Sequence, residues 1–330
     1  MREALEKVEE IVKETFSMWE ERWQGFSWPN YYWNHTVRVR NLCLRMAERE
    51  GGDPVKLAFA ATLHDITKRF DGRVLRDEEG NRVADEKGIW VMELVMPARE
   101  NEVIRIYKEK NLFGTPHSLS GAEVAGEVLR MVGIDDEEFI ESVKLAIEAH
   151  IRPPKADEEE IERLYGQVES RILHDADMID ANLGYTAFFR NVMIRAHYAR
   201  EEGGEFDLKR YAEGLEEWVD SKEPFLERLL TEAGREIGSE RQGRNRELAE
   251  LLRAELEDFE LNERFGLLGM VKLFAENCEN PDMFELLDRL ERVWMPERER
   301  EAEGDEAAGE ALGRVRRFVR ELREECEGVR

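Results

Sequence analysis

Residues 54–68 read PVKLAFAATLHDITK. Asp53 followed by Pro54 is a strong helix start. The carboxylate can cap the first free amides, and proline needs no amide hydrogen in the first turn. From there the stretch is apolar nearly all round, which predicts a buried central helix. His64-Asp65 stand in the middle of that predicted helix. An ionised carboxylate in a core is costly unless it is paired or bound to a metal. The histidine beside it offers a neutral nitrogen ligand. Helix neighbours point about 100° apart, so both can still reach a cation lying against that side. A satisfied core hydrogen bond is the competing reading of the pair, so the rest of the chain has to weigh in.

On the N-terminal side, residues 1–24 read as an amphipathic helix with Leu5, Val8, Ile11, Val12, Phe16 and Trp19 at helical spacing. FSWPNYYWNH then breaks the pattern at Pro29 and packs aromatics just before His35. A second helix is predicted from about Asn34 to Glu50, stopping at Gly51-Gly52. On the C-terminal side, residues 71–90 lose helical periodicity. Val74-Leu75 and Val83 flank Glu79-Gly80-Asn81, which predicts a short hairpin or loop. Thr115-Pro116 starts another helix with His117 in its first turn. Asp135 with Glu138 opens a helix that ends near His150, before Pro153-Pro154. Asp157 with Glu160 opens the next stretch, which runs on to HDADMIDA at residues 174–181. Beyond residue 200 the pattern stays helical and strongly charged. Residues 297–310 read as an exposed linker before a last amphipathic helix at 311–325.

The whole chain has 330 residues, 42% hydrophobic, enough for one large domain or two smaller ones. Its net charge of -26 argues against a broad nucleic-acid-binding face, since phosphate backbones seek basic patches. A single nucleotide can still bind where a metal and a few cations set the local field. Cys43, Cys278 and Cys326 are odd in number and far apart, so neither a disulfide framework nor a zinc ribbon is indicated. The charged start MREALEKVEE and the lack of a long apolar run lead to the expectation of a cytoplasmic chain without a membrane partner.

The chain has six histidines, and all but His197 sit at predicted helix boundaries or on apolar-patterned helices. Imidazoles and carboxylates without thiolates suit manganese, iron, nickel, cobalt or zinc. His35, then His64-Asp65, then a late Asp resemble the H…HD…D signature of HD-domain phosphohydrolases. HDITK is similar to that family's frequent HDIGK. ADMIDA, residues 176–181, resembles its last motif, which carries the ligand role to Asp177, with Asp175 as the alternative. HSLSGAEVAGEVL from His117 and IEAHI around His150 resemble the extra histidines of two-metal members. TEAGREIGSER, residues 231–241, resembles a C-terminal segment of other HD hydrolases.

The resemblance covers about residues 30–185. It implies an all-α HD-domain helical bundle, with additional C-terminal helices and a short hairpin or loop insertion. The expected organisation is an N-terminal helix (1–30), the HD phosphohydrolase domain (31–200) and a C-terminal helical extension packed on the HD core (201–330). The implied metal ligands are His35, His64, Asp65, His117, His150 and Asp177, holding one or two divalent transition-metal ions, with Asp65 bridging two. Asp65 and Lys68 are the expected catalytic residues. Lys68, four residues after His64 on the same predicted helix face, is expected to contact a substrate phosphate. Arg38, one turn after His35, and Arg152 are the other candidates for substrate binding. His174, one turn from Asp177, is expected to support a ligand from behind. Trp28, Tyr31, Tyr32 and Trp33 read as packing more than base stacking. Arg235, Arg241, Arg244 and Arg246 read as a solvated, ion-paired helix more than a phosphate patch.

The activity implied is hydrolysis of a nucleotide or cyclic or diester phosphate by metal-activated water. The partner is then a small-molecule phosphate, with no nucleic-acid duplex, and a homo-oligomer is left open. Nucleoside triphosphates, cyclic phosphodiesters and dinucleoside polyphosphates compete as substrates. Two other functions share the same residues: a di-iron oxygenase of the HD type, and a non-catalytic nucleotide-binding sensor. The insertion at about 71–115, between the HD pair and His117, is expected to form one wall of the pocket.

Overall fold

In the computed structural model, which describes residues 1–328, the central helix spans Pro54–Leu63. Asp53 caps it as expected, accepting from the amides of Val55 (2.8 Å) and Lys56 (3.3 Å). Leu57 through Leu63 are all buried. Burial of Leu57, Phe59 and Leu63 contributes roughly 1.5–3 kcal/mol each.

The helix is shorter than its pattern predicts, and this corrects the mid-helix placement of the HD pair. His64 is its C-terminal cap. The chain then tightens through bonds from Ile66 N to Leu63 O (3.0 Å) and Lys68 N to Asp65 O (2.8 Å), into a 3₁₀ turn over Lys68–Phe70. Such a turn advances about 120° per residue rather than 100°. His64 and Lys68 therefore do not share a helix face by simple spacing.

Among the described residues the fold is all-α apart from one small sheet, and it divides into two compact units. Unit one is Met1–Asp177 with Leu230–Gly234. Here the central helix packs against the helices Arg2–Phe16, Pro29–Glu50 and Glu137–Ala149, and the last of these packs on His117–Met131. The first helix ends at Phe16, well before residue 24. Trp19 leaves it to donate from Nε1 to the Val95 carbonyl (3.0 Å) and to meet Phe70 edge-on. Pro29 does not break a helix but begins one, after Trp28 in extended backbone, because proline is suited to the first helical position. Asp136, not Asp135, caps the Glu137–Ala149 helix.

Strands Asp71–Val74 and Met92–Leu94 pair antiparallel, Asp71 opposite Leu94 and Val74 opposite Met92. Within the connection, Val83 N donates to Leu75 O and Val91 N to Val83 O. The expected hairpin is thus present, with Gly80 at its tip in the left-handed region (φ 86°).

Unit two is Met178–Leu229 with Arg235–Arg330. Its core gathers Gly184–Glu201, Leu267–Glu276 and Glu306–Cys326, with Phe188, Phe189, Phe274 and Phe318 in ring contact. The linker expected at 297–310 is largely helical: Met295–Glu301 precedes Glu306–Cys326. Asp305 caps the last helix, and Ala308 and Ala311 are buried beside Phe265, so that helix starts earlier than 311. Among the described residues, no helix is long and apolar enough to cross a membrane.

Candidate metal centre

Within unit one, five helices and the turn after Leu63 bring six side chains together. His35 comes from Pro29–Glu50, His117 from the first residue of His117–Met131, and Asp177 from Val168–Asn182. His64 and His150 each cap the C-terminus of a helix, after Leu63 and after Ala149. Asp65 follows His64 directly. All but Asp177 are buried.

The six form two groups, each with ligand atoms within 4.8 Å of one another: His35, His64 and Asp177, and Asp65, His117 and His150. In the first, Asp177 Oδ1 lies 3.0 Å from His35 Nε2 and 3.8 Å from His64 Nε2, and the two imidazole nitrogens are 3.4 Å apart. In the second, Asp65 Oδ1 lies 3.6 Å from His117 Nε2 and 3.9 Å from His150 Nε2. Asp65 Oδ2 turns the other way, 3.6 Å from His64 Nε2 and 3.8 Å from His35 Nε2. One carboxylate therefore offers one oxygen to each group.

The tautomers follow from the partners. His64 Nδ1 donates to the Ala61 carbonyl (2.7 Å) and His150 Nδ1 to the Ile147 carbonyl (2.5 Å), each three residues back in its own helix. A carbonyl can only accept, so the proton sits on Nδ1 in both rings. His117 Nδ1 donates to Asp71 Oδ2 (2.6 Å). Three Nε2 lone pairs thus point into one space already holding two carboxylates. Two of these rings stand at helix C-termini, whose partial negative charge also favours a cation.

Ligands 2.0–2.2 Å from one ion stand about 3.0–3.6 Å apart at octahedral to tetrahedral angles. The observed separations of 3.0–3.9 Å fit with shifts of a few tenths of an ångström. The donor set, imidazole and carboxylate without sulfur, suits divalent transition metals.

The electrostatics agree with this geometry. Burial pushes the Asp65 carboxyl up, but His64, His117 and Lys68 outweigh it and hold it well below the usual carboxylate range. Burial acts likewise on Asp177, where the hydrogen bond to His35 and the neighbouring imidazoles win and hold its carboxyl well below the usual range. Desolvation takes His150 down to about 3, which keeps that ring a neutral ligand.

The other sequence candidates fall in different places. Lys68 Nζ stands 3.1 Å from His117 Nε2 and 3.7 Å from Asp71 Oδ2. Lys68 and Asp177 have side chains 24% exposed, whereas the other five candidate ligands are at most 8% exposed, so this edge is the opening. Arg38 is buried, its guanidinium 5.2 Å from the centre of the Tyr31 ring, which lies parallel to His35. Arg152 is exposed and lies over the Tyr165 ring. His174 Nδ1 donates to the His150 carbonyl (3.0 Å), so it supports the second group through the backbone. Asp175 turns away to the amides of Leu230 and Thr231. Trp28, Tyr31 and Tyr32 are buried.

Asp71 is the residue that sequence reasoning missed. Burial raises its carboxyl, the charge of His117 and its hydrogen bond lower it further, and the net effect is downward. Its signal was a carboxylate directly after the HD turn, where a ligating histidine needs an orienting acceptor. Gly121 also matters locally: a Cβ there would lie 3.2 Å from the His64 carbonyl, so its absence lets the two helices approach.

A comparison with curated proteins finds no match. Among solved structures, a predicted HD superfamily hydrolase from an uncultured Thermotogales bacterium is 22% identical to this chain. That match covers 77% of this chain and 92% of the other, with a TM-score of 0.41. Residues 32–182 match the HD domain family, a span that contains all six converging side chains. Residues 32–182 thus carry an HD domain.

Proposed function

We propose that the chain is a metal-dependent phosphohydrolase acting on a small phosphate compound, a nucleotide or a cyclic or diester phosphate. The observation that carries this reading is Asp65, whose two oxygens face two separate imidazole-containing groups. His35, His64 and Asp177 would hold one divalent ion and His117 and His150 a second, with Asp65 shared. Such ions activate water near neutral pH and polarise a phosphoryl oxygen.

The chain's own residues do the rest. Carbonyls of Ala61 and Ile147 and the Asp71 carboxylate keep three imidazoles in the tautomer that presents Nε2. Lys68, at the open edge, binds a phosphate oxygen and stabilises the charge that develops on it. The buried walls limit solvent to the edge where Asp177 and Lys68 stand. The chemistry favours a compact phosphate over a duplex backbone, in keeping with the net charge of -26.

Elemental analysis of protein purified without chelators tests the first half, with two transition-metal equivalents expected. A panel of nucleoside triphosphates, cyclic phosphodiesters and dinucleoside polyphosphates, assayed with manganese, iron, nickel or cobalt, tests the second. Protein that takes up no metal, or that is metal-replete and cleaves none of these, would sink the reading.

A further inference from the structure

The Leu230–Gly234 segment belongs to unit one although it is distant in sequence from the rest of that unit. It is held by Asp175, two residues before the candidate ligand Asp177. Asp175 Oδ1 accepts from Leu230 N (2.9 Å), and Oδ2 accepts from Leu230 N (3.0 Å), Thr231 N (2.7 Å) and Thr231 Oγ1 (2.7 Å). Thr231 Oγ1 in turn accepts from Gly234 N (2.9 Å). The Ala233 amide donates to Glu50 Oε1 (2.6 Å). A Cβ at Gly234 would lie 2.3 Å from Asp175 Oδ2 and 2.7 Å from Thr231 Oγ1, so the close seat requires glycine.

We infer that Asp175 is a positioning residue for the metal centre, and that Thr231 and Gly234 are the seat that makes it one. The inference rests on the metal reading above. Residues two apart on a helix point about 200° apart. Asp177 therefore faces the imidazoles while Asp175 faces the 230–234 turn. The amides of Leu230 and Thr231 and the Thr231 hydroxyl, all bonded to this one carboxylate, fix the rotation and axial position of this helix. One residue earlier, His174 ties the same helix to the His150 carbonyl (3.0 Å). The helix is thus gripped immediately before Asp177, and its carboxylate is delivered to His35 and His64 without having to be ordered by the ion. Partners of this kind, outside the ligands themselves, typically govern about 10–100-fold in metal affinity.

The test uses the full chain with cobalt(II), whose absorption reports ligand geometry. Thr231→Val keeps the side-chain shape and removes the hydroxyl, Thr231→Ser keeps the hydroxyl, and Asp175→Asn weakens the grip from the other side. All are compared at a temperature where far-ultraviolet circular dichroism shows native helicity. Thr231→Val and Asp175→Asn are expected to bind cobalt about tenfold or more weakly, with altered visible bands, while Thr231→Ser restores both. A purely structural role lowers the melting temperature and leaves affinity and bands alone, and that result in Thr231→Val or Asp175→Asn overturns the inference. If Thr231→Val does not fold, Asp175→Asn against Thr231→Ser decides in the same way. Wild-type protein that binds no cobalt overturns the metal reading and this inference together. Wild-type binding that is lost in Asp177→Ala but unchanged in Asp175→Asn overturns the inference alone.

Discussion

The two units each bury a charged cluster, and the clusters are built in opposite ways. In unit two, Glu325 is fully buried, yet each of its carboxylate oxygens meets a donor. Arg244 Nη1 is 3.0 Å from Oε1, and the amides of Tyr185 (2.8 Å) and Thr186 (3.3 Å) approach Oε2. Arg241 Nη1 lies 3.8 Å from Oε2 and its Nη2 donates to the Glu325 carbonyl (3.1 Å). In unit one, acceptors predominate: two carboxylates and the Nε2 atoms of His64, His117 and His150 crowd together at 3.6–3.9 Å, with His35 Nε2 3.0 Å from Asp177 Oδ1 and Lys68 Nζ 3.1 Å from His117 Nε2 at the edge. Low dielectric strengthens a matched cluster and penalises an unmatched one. Buried charge by itself therefore says little about function. A buried cluster in which acceptors outnumber donors is the one that asks for a cation.

Several experiments can break or sharpen this contrast. The largest effect is expected from Asp65→Ala, which removes an oxygen from both groups at once. Metal affinity should fall by more than about a hundredfold, beyond the range of supporting residues, as measured by titration. Hydrolysis should vanish with it. Retention of two tightly bound ions would end the bridging assignment.

Glu325→Ala should act on stability instead. It takes the buried carboxylate from Arg241 and leaves Arg244 only Glu240, at a cost of about 3–5 kcal/mol. Chemical denaturation followed by tryptophan fluorescence would show it, and a change under about 1 kcal/mol would mean that the cluster is not as tightly matched as its distances imply.

Metal itself should stabilise the wild-type chain, because the unfolded chain lacks the site. At a free concentration a hundredfold above Kd the gain is about 2.7 kcal/mol, read as a rise in melting temperature. The same ion should do far less for Asp177→Ala. Equal stabilisation of both would place the ion elsewhere.

Lys68→Met should leave metal content alone and lower kcat/KM about tenfold to hundredfold, in line with loss of one donor to a developing anion. Metal content that falls with Lys68 would instead tie its ammonium to the structure of the site.

Much of unit one was legible beforehand. Asp53-Pro54 announced the central helix, and the residue types of the six ligand candidates pointed to a divalent transition metal. Elsewhere local rules competed with tertiary contacts. The pattern of the helix from Pro54 continues through HDITK to Lys68, yet the helix ends at His64, whose Nδ1 bonds the Ala61 carbonyl. Residues 297–310 looked like a linker because they are almost wholly charged or small, but the burial of Ala308 and Ala311 shows small residues used for packing. In the Arg235–Arg246 run, the interleaved glutamates suggested a solvated face. Arg241 and Arg244 are in fact buried, because their partner Glu325 lies about 80 residues away and spacing along one helix cannot reveal it.

Helix content, the centrality of PVKLAFAATL and the set of atoms able to hold a metal were determined by sequence alone, because propensity, periodicity and donor chemistry belong to individual residues and near neighbours. The tertiary structure decided which of Asp175 and Asp177 faces the imidazoles, and that Asp71 orients His117 while Asp65 divides its oxygens between two groups. Those outcomes depend on side-chain directions around separate helix axes, and a rotation of one residue's worth, about 100°, would have reassigned every one of them.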